Sequence, residues 1–123
     1  MHKTLLMVCL GLTSALTAAA ADAPASKRDW PGWRGPNHDA IAAEKGLLNQ
    51  WSEDGPALLW TAGGLGGGYS SIAIAGGRIY TTGRRSEGCC LICLDLNGKE
   101  MWVTPIGKDD PNCTPTIDGD RVY

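Results

Sequence analysis

The chain has 123 residues, enough for one small domain, and carries a formal net charge of −2 at pH 7. A net charge this close to zero, in a sequence without a basic stripe, argues against a nucleic-acid partner. The adjacent pair Arg84-Arg85 is predicted to lie in a solvated loop. Seventeen glycines predict the many turns of an all-β protein.

Residues 1–21 are predicted to form a secretory signal peptide. His2-Lys3 is a polar, positive start, Leu5–Leu12 is an apolar core, and Ala19-Ala20-Ala21 supplies an Ala-x-Ala cleavage site. The apolar core is shorter than the about 20 residues that cross a bilayer. Lipid attachment at Cys9 is the less favoured alternative, because Val8 is bulky and the core would be cut short. The sequence therefore predicts a secreted or periplasmic protein.

Residues 22–57 are predicted to form an irregular N-terminal arm. Trp30 and Trp33 can bury much apolar area, whereas the prolines and glycines around them exclude a regular helix or central strand. His38 follows in this arm, where a surface or capping role is expected. Because it is the only histidine after residue 21, the sequence shows neither a His-pair metal site nor a serine-type triad.

Short strands dominate the region 58–123. Gly76-Gly77 and Asn97-Gly98 are predicted as tight hairpin turns, the second as a two-residue turn. Arg84–Gly88 is predicted as a loop. The predicted strands are Leu58–Thr61, Tyr69–Ala75, Arg78–Thr82, Cys90–Leu94 and Lys99–Thr104.

A short pattern recurs within this region. Ser71–Tyr80 reappears as Thr114–Tyr123, 43 positions further on, with Ile, Gly, Arg and Tyr in register. Strand-like repeats of about 40–45 residues are typical of propeller blades. One full blade is predicted over about 69–104, and the next begins at about 113. Because one blade has two apolar faces and at least about three repeats are needed for stability, we expect an N-terminal fragment of a longer protein.

The segment from Cys93 to Trp102, Cys-Leu-Asp-Leu-Asn-Gly-Lys-Glu-Met-Trp, resembles the tryptophan-docking repeat of quinoprotein-type β-propellers. That repeat runs Ala-x-Asp-x-x-Thr-Gly-Lys-x-x-Trp. Cys93 stands at the Ala position, the turn is one residue shorter, and Asn97 stands where Thr is usual. The arm motif Asp29-Trp30-Pro31 also resembles this family. Over residues 29–123 the resemblance implies a propeller of four-stranded antiparallel blades, with the Trp docked between neighbouring blades.

The same resemblance implies two functional classes. Some members are dehydrogenases that bind pyrroloquinoline quinone and calcium, and others are cofactor-free propellers that bind partners. We expect an exported binding or scaffold module without catalysis in this segment, contacting a protein or small-molecule ligand through Gly63–Tyr69 and Arg84–Gly88. The alternative is the N-terminal part of a quinone-dependent alcohol or sugar dehydrogenase, whose catalytic Asp and calcium ligands would lie in later blades. A third interpretation is a sensor ectodomain.

The cysteine motifs suggest specific chemical roles, which we compare with structural ones. In quinone-dependent alcohol dehydrogenases an adjacent-cysteine disulfide packs on the cofactor, but Cys89-Cys90 lacks the family's sequence context and enters a predicted strand, which disfavours such a bond. In Cys90-x-x-Cys93 the side chains would point to opposite faces, so buried apolar thiols are expected rather than a redox or metal site. With Cys113, four cysteines allow three full pairings, and the sequence does not choose among them.

The remaining motifs have structural interpretations. The glycines at 63, 64, 66, 67 and 68 do not match a Gly-x-Gly-x-x-Gly loop and are predicted to form a crossing into the inner strand. Asp109-Asp110 and Asp118-Gly119-Asp120 are acidic turns without calcium-loop spacing. The sequence therefore assigns no catalytic or metal-binding residue and leaves the cofactor open.

Overall fold

A computed structural model describes residues 29–123. Their fold is all-β, as predicted: a four-stranded antiparallel sheet in the order β1-β2-β3-β4, followed by a separate two-stranded hairpin. The predicted signal peptide lies outside the described residues. None of the described residues forms a helix able to cross a membrane. The strands are β1 Ala73–Ala75, β2 Arg78–Arg85, β3 Gly88–Asp95, β4 Glu100–Gly107, β5 Ile117–Asp118 and β6 Arg121–Val122.

The turns form at the predicted places, and one of them differs in length. Gly76-Gly77 joins β1 to β2 with φ of 57° and 72°, as a type I′ hairpin requires. The Asn97-Gly98 hairpin is not the predicted two-residue turn, because Asp95 N–H donates to the Lys99 carbonyl at 2.9 Å and this bond encloses the three residues Leu96, Asn97 and Gly98. The Asp95 carboxylate accepts hydrogen bonds from the backbone N–H groups of Asn97 and Lys99 at 2.8 and 2.9 Å. This side-chain bonding favours a type I turn followed by a left-handed glycine.

The prediction of a loop over Arg84–Gly88 is wrong. The β2–β3 ladder continues through Arg84↔Cys89 and Arg85↔Gly88, which leaves only Ser86-Glu87 as a turn. Both arginines therefore lie in a strand, and each forms an ion pair with a residue from a later segment. Charged residues are compatible with the strand here because their side chains find acidic partners, Glu100 at the start of β4 and Asp110 after its end.

The predicted strand Leu58–Thr61 does not form. No part of it pairs with another strand in the described residues, and Leu58 and Leu59 are 82% and 88% exposed. An apolar run cannot make strand hydrogen bonds without a neighbouring strand edge. The predicted Tyr69–Ala75 strand is also shorter, because the Tyr69 N–H donates to the Pro111 carbonyl at 2.9 Å and leaves β1 to begin at Ala73.

The four-stranded sheet buries side chains on both faces. On one face Ile79, Cys90, Ile92 and Leu94 form the core, with Ala62, Leu65 and Ile74 packed against it. On the other face, the register places Tyr80, Cys93 and Trp102 side by side on β2, β3 and β4. The rings of Tyr80 and Trp102 lie 6.1 Å apart between centroids, with Cys93 fully buried between their strands.

The sequence repeat reappears as a repeat of backbone pairing. The cross-strand pairs Ala73↔Tyr80, Ile74↔Ile79 and Ala75↔Arg78 in the first hairpin match Thr116 with Tyr123, Ile117↔Val122 and Asp118↔Arg121 in the second. Each matched position lies 43 residues further along the chain. The repeated residues thus specify the same cross-strand pairing twice, although the turns differ: Gly76 and Gly77 both have positive φ, whereas in the second turn Gly119 has positive φ and Asp120 does not.

The arm joins the two hairpins. Trp30 exchanges backbone hydrogen bonds with Ile74 at 2.7 and 2.8 Å, and the Pro31 carbonyl accepts a hydrogen bond from Ile117 N–H at 2.7 Å. Ile74 and Ile117 are equivalent positions of the repeat. The Trp30-Pro31 dipeptide therefore lies between the first strands of the two hairpins and ties them together.

Candidate ligand-contact edge

The structure brings together the two segments that the sequence predicts as ligand contacts, Gly63–Tyr69 and Arg84–Gly88. Gly67 N–H donates to the Arg84 carbonyl at 3.2 Å, and Arg84 N–H donates to the Gly67 carbonyl at 2.7 Å. The segment Gly63–Tyr69 therefore lies along the end of β2, next to the Ser86-Glu87 turn. We call this juxtaposition, residues 63–69 with residues 84–88, the loop edge.

The glycine-rich segment packs backbone against backbone. A Cβ atom at Gly83 would overlap the carbonyl oxygen of Leu65, so only glycine admits this approach. The segment is the predicted crossing into the first strand of the sheet. Its N–H groups at 67 and 69 are already bonded to protein carbonyls, so they are not free to surround a phosphate.

Arg84 and Asp110 form an ion pair beside this edge, with side chains 43% and 66% exposed. A second guanidinium nitrogen of Arg84 donates to the Lys108 carbonyl at 2.7 Å. Both contacts hold the segment after β4 against the end of β2. Screening by water keeps such an exposed pair weak, and its geometry serves to place the 108–110 loop.

Arg85 forms the second ion pair of the loop edge. Its guanidinium donates to Glu100 at 2.6 Å, and its side chain is only 21% exposed. This hydrogen bond raises the pKa of Arg85 and lowers the pKa of the Glu100 carboxyl. Both basic side chains of the loop edge are thus bonded to acidic groups of the same chain.

Tyr69 is the large side chain that the loop edge leaves to solvent. Its backbone is anchored by the hydrogen bond to the Pro111 carbonyl, while the residue as a whole is 87% exposed. An anchored tyrosine offers a flat apolar ring and a hydroxyl at little entropic cost on binding. The edge therefore exposes the ring of Tyr69, while Arg84 and Arg85 are engaged in ion pairs with Asp110 and Glu100.

The cysteines take the positions that strand alternation predicts. Cys90 belongs to the core cluster, whereas Cys93 lies between Tyr80 and Trp102 on the opposite face. The prediction that these two thiols diverge is confirmed. Cys89 and Cys90 are likewise neighbours on an extended strand, and all four thiols from Cys89 to Cys113 are free. Burial raises the pKa of the Cys89 and Cys93 thiols, which keeps them protonated and unreactive.

The residues whose side chains could ligate a metal ion are dispersed. Between residues 29 and 123, no group of three or more His, Cys, Asp or Glu side chains is placed to hold a metal ion. Asp118 is a strand residue paired with Arg121, and Asp120 lies 3.8 Å from the same arginine. His38 is exposed, with Nδ1 3.3 Å from the Trp33 carbonyl, in keeping with the predicted surface role.

Sequence reasoning missed one contact that organises this region. The indole of Trp60 lies over the turn glycine Gly98: an added Cβ there would be 2.6 and 2.8 Å from two of its ring carbons. The sequence signal that points to this contact is the spacing of 42 residues between Trp60 and Trp102. It indicates that both tryptophans hold the same place in the repeat, but it does not name their partners.

Comparison of the chain with protein-family models, with curated proteins and with solved structures finds no match.

Proposed function

We propose that the four-stranded sheet is one blade of a β-propeller and that the β5–β6 hairpin opens the next. The observation that carries this proposal is the recurrence of three cross-strand pairs, residue for residue, 43 positions apart. Propeller blades repeat at about this period and are four-stranded antiparallel sheets. The separation of the second hairpin from the first sheet fits adjacent blades rather than one larger sheet.

The position of Trp60 supports the same proposal. The resemblance to the docking repeat implies that a Trp from one repeat contacts the neighbouring one, and Trp60 precedes the sheet while Gly98 lies inside it. Leu58–Trp60 would then belong to the preceding repeat unit. This accounts for the contact of the Trp60 ring with Gly98, although the neighbouring Leu58 and Leu59 are exposed.

For the activity, we propose an exported binding or scaffold module that contacts its partner through the loop edge. Arg84 and Arg85 are bonded to Asp110 and Glu100, so these charges are engaged in structure. Tyr69 is the group best placed for contact. Tyrosine is enriched at protein interfaces because it combines apolar area with a hydrogen-bonding tip.

The binding role is tested by cross-linking the exported full-length protein to its neighbours, with Tyr69→Ser compared against Tyr123→Ser. Tyr123 is 68% exposed but belongs to the second hairpin, so it serves as the matched control. We expect the Tyr69 variant to lose its cross-linked partner and the Tyr123 variant to keep it. Equal cross-linking by both variants would remove the loop edge from the proposal.

The alternative, a quinone-dependent dehydrogenase, is tested separately. The full-length protein is supplied with pyrroloquinoline quinone, calcium and an artificial electron acceptor, and alcohols and sugars are offered as substrates. We expect acceptor reduction no faster than in a protein-free control. Substrate-dependent reduction that requires the protein would replace the scaffold proposal with the enzymatic one.

A further inference from the structure

The arm and the two hairpins enclose a cleft of about 310 Å³ that none of the loop-edge residues lines. Trp30, Trp33 and Arg34 line it from the arm, Ser71 and Ile72 from the segment before β1, and Thr114 from the segment before β5. Ser71 and Thr114 are equivalent positions of the 43-residue repeat. The cleft therefore lies where the arm crosses between the two repeats.

The apolar part of the cleft is built from aromatic side chains and one isoleucine. Trp33 and Ile72 are 65% and 48% exposed, so both present apolar surface at the open side of the cleft. Trp30 is held in place by its backbone hydrogen bonds to Ile74 and by the close approach of Gly35 to its ring. The held indole of Trp30 and the exposed indole of Trp33 offer flat surfaces to a flat apolar ligand.

The polar part of the cleft has unused hydrogen-bonding capacity. Arg34 is the only charged residue among those lining the cleft. Within residues 29–123, its guanidinium makes no ion pair, and neither it nor the hydroxyls of Ser71 and Thr114 make a side-chain hydrogen bond to the protein. An unpaired guanidinium with hydroxyl donors nearby matches the two oxygens of a carboxylate.

The backbone that carries Arg34 is held in an uncommon conformation. Arg34 and Ala40 have φ of 66° and 61°, and the Ala40 N–H donates to the Arg34 carbonyl at 2.9 Å. Residues other than glycine seldom adopt this region, and where they do the surrounding structure must impose it. The closed loop from Arg34 to Ala40 thus fixes the backbone position from which the exposed Arg34 side chain lines the cleft.

From this arrangement we infer that the cleft binds a small organic monocarboxylate with a flat apolar body. The carboxylate lies on the fork of Arg34 with Ser71 or Thr114 donating to its oxygens, and the flat body lies against Trp30 and Trp33. A volume of about 310 Å³ admits a ligand of one or two rings. Because the cleft has a cation and no carboxylate, it disfavours amines of the same shape. This inference does not depend on the propeller proposal.

The test uses the full-length protein and phenylacetate, with the neutral isostere phenylacetamide, phenethylamine and acetate as comparison probes. The side-chain N–H signals of Trp30, Trp33, Trp51, Trp60 and Trp102 are followed by NMR and assigned by Trp→Phe substitutions. Phenylacetate is expected to shift the Trp30 and Trp33 signals and leave those of Trp51, Trp60 and Trp102 in place. Its affinity is expected to exceed that of phenylacetamide by at least about tenfold, since hydrogen bonds to charged groups are the stronger kind.

Two substitutions at the same position separate charge from fold. Arg34→Lys and Arg34→Gln both keep a non-glycine residue at φ 66°, so they strain the backbone alike. We expect the Gln variant to bind phenylacetate at least about tenfold more weakly, and the Lys variant to lie between it and the unmodified protein. Arg121→Gln, at a 73% exposed side chain in the β5–β6 hairpin, is the matched control and should bind normally.

Three results would overturn the inference. Equal affinity for phenylacetate and phenylacetamide would mean that Arg34 does not bind the carboxylate. Acetate binding as tightly as phenylacetate would eliminate the role of the indoles. Shifts confined to Trp51, Trp60 or Trp102 would place binding outside the cleft. The comparison of ligands uses the unmodified protein, so it remains informative even where a variant fails to fold.

Discussion

Replacing Gly98 by alanine measures how much the Trp60 contact stabilises the fold. Gly98 has φ of 79°, and a Cβ there would lie 2.6 Å from a ring carbon of Trp60, well inside contact distance. The left-handed conformation alone destabilises an alanine by roughly 1–2 kcal/mol. Because the Trp60 ring would also have to move, we expect Gly98→Ala to lower the stability by more than the backbone conformation alone explains.

The second contribution follows from the burial of Trp60. The residue is 40% exposed, so more than half of its surface is covered. Moving the ring off the turn uncovers roughly 40–80 Å², which at about 25 cal/mol per Å² amounts to about 1–2 kcal/mol. Gly98→Ala should therefore lower the free energy of unfolding by about 2–4 kcal/mol.

Gly77→Ala supplies the matched control. Gly77 has φ of 72°, and nothing lies within 4 Å of an added Cβ, so this variant carries the conformational penalty without the clash. Urea unfolding of both variants, in the presence and absence of Trp60→Ala, forms a double-mutant cycle. We expect the effect of Gly98→Ala to fall to that of Gly77→Ala once the indole is removed. Equal effects of the two alanines within about 0.5 kcal/mol in the unmodified background would refute the contact.

Three further predictions concern charge, thiols and export. Because the bond to Arg85 lowers the folded-state pKa of Glu100, its stabilising effect is full above the ordinary glutamate pKa of about 4.3 and is lost as pH falls through the lower folded value. The stability difference between the protein and Glu100→Gln should therefore shrink on acidification below about pH 4, and a difference constant down to about pH 2 would contradict this assignment. A thiol reagent should label Cys113 in the native protein and reach the three buried cysteines only on unfolding, as mass spectrometry would show; rapid native labelling of all four would refute the burial of β3. The exported protein should begin at Asp22, and an N-terminus retaining residues 1–21 would contradict the signal-peptide prediction.

The pattern of successes and errors in the strands has a physical basis. The Gly76-Gly77 turn is readable from sequence because its two positive φ angles require glycine. The length of the Asp95–Lys99 turn is not, because it depends on which backbone N–H groups the Asp95 carboxylate accepts hydrogen bonds from. Two of the errors of strand extent share one cause: composition alone favours a loop at Arg84-Arg85 and a strand at Leu58–Thr61, whereas pairing depends on whether another strand lies alongside.

For the candidate sites too, the sequence predicts what regular backbone geometry determines and does not predict contacts between distant segments. Strand alternation alone predicts that Cys90 and Cys93 diverge, and the period of 43 alone predicts two equivalent hairpins, because both are properties of regular backbone geometry. Local periodicity contains no information on contacts between distant segments. Only the tertiary structure places Gly67 against Arg84, Trp60 on Gly98 and the arm between Ile74 and Ile117. The loop edge and the Arg34 cleft arise from those long-range contacts, since each needs backbone segments that folding alone brings together.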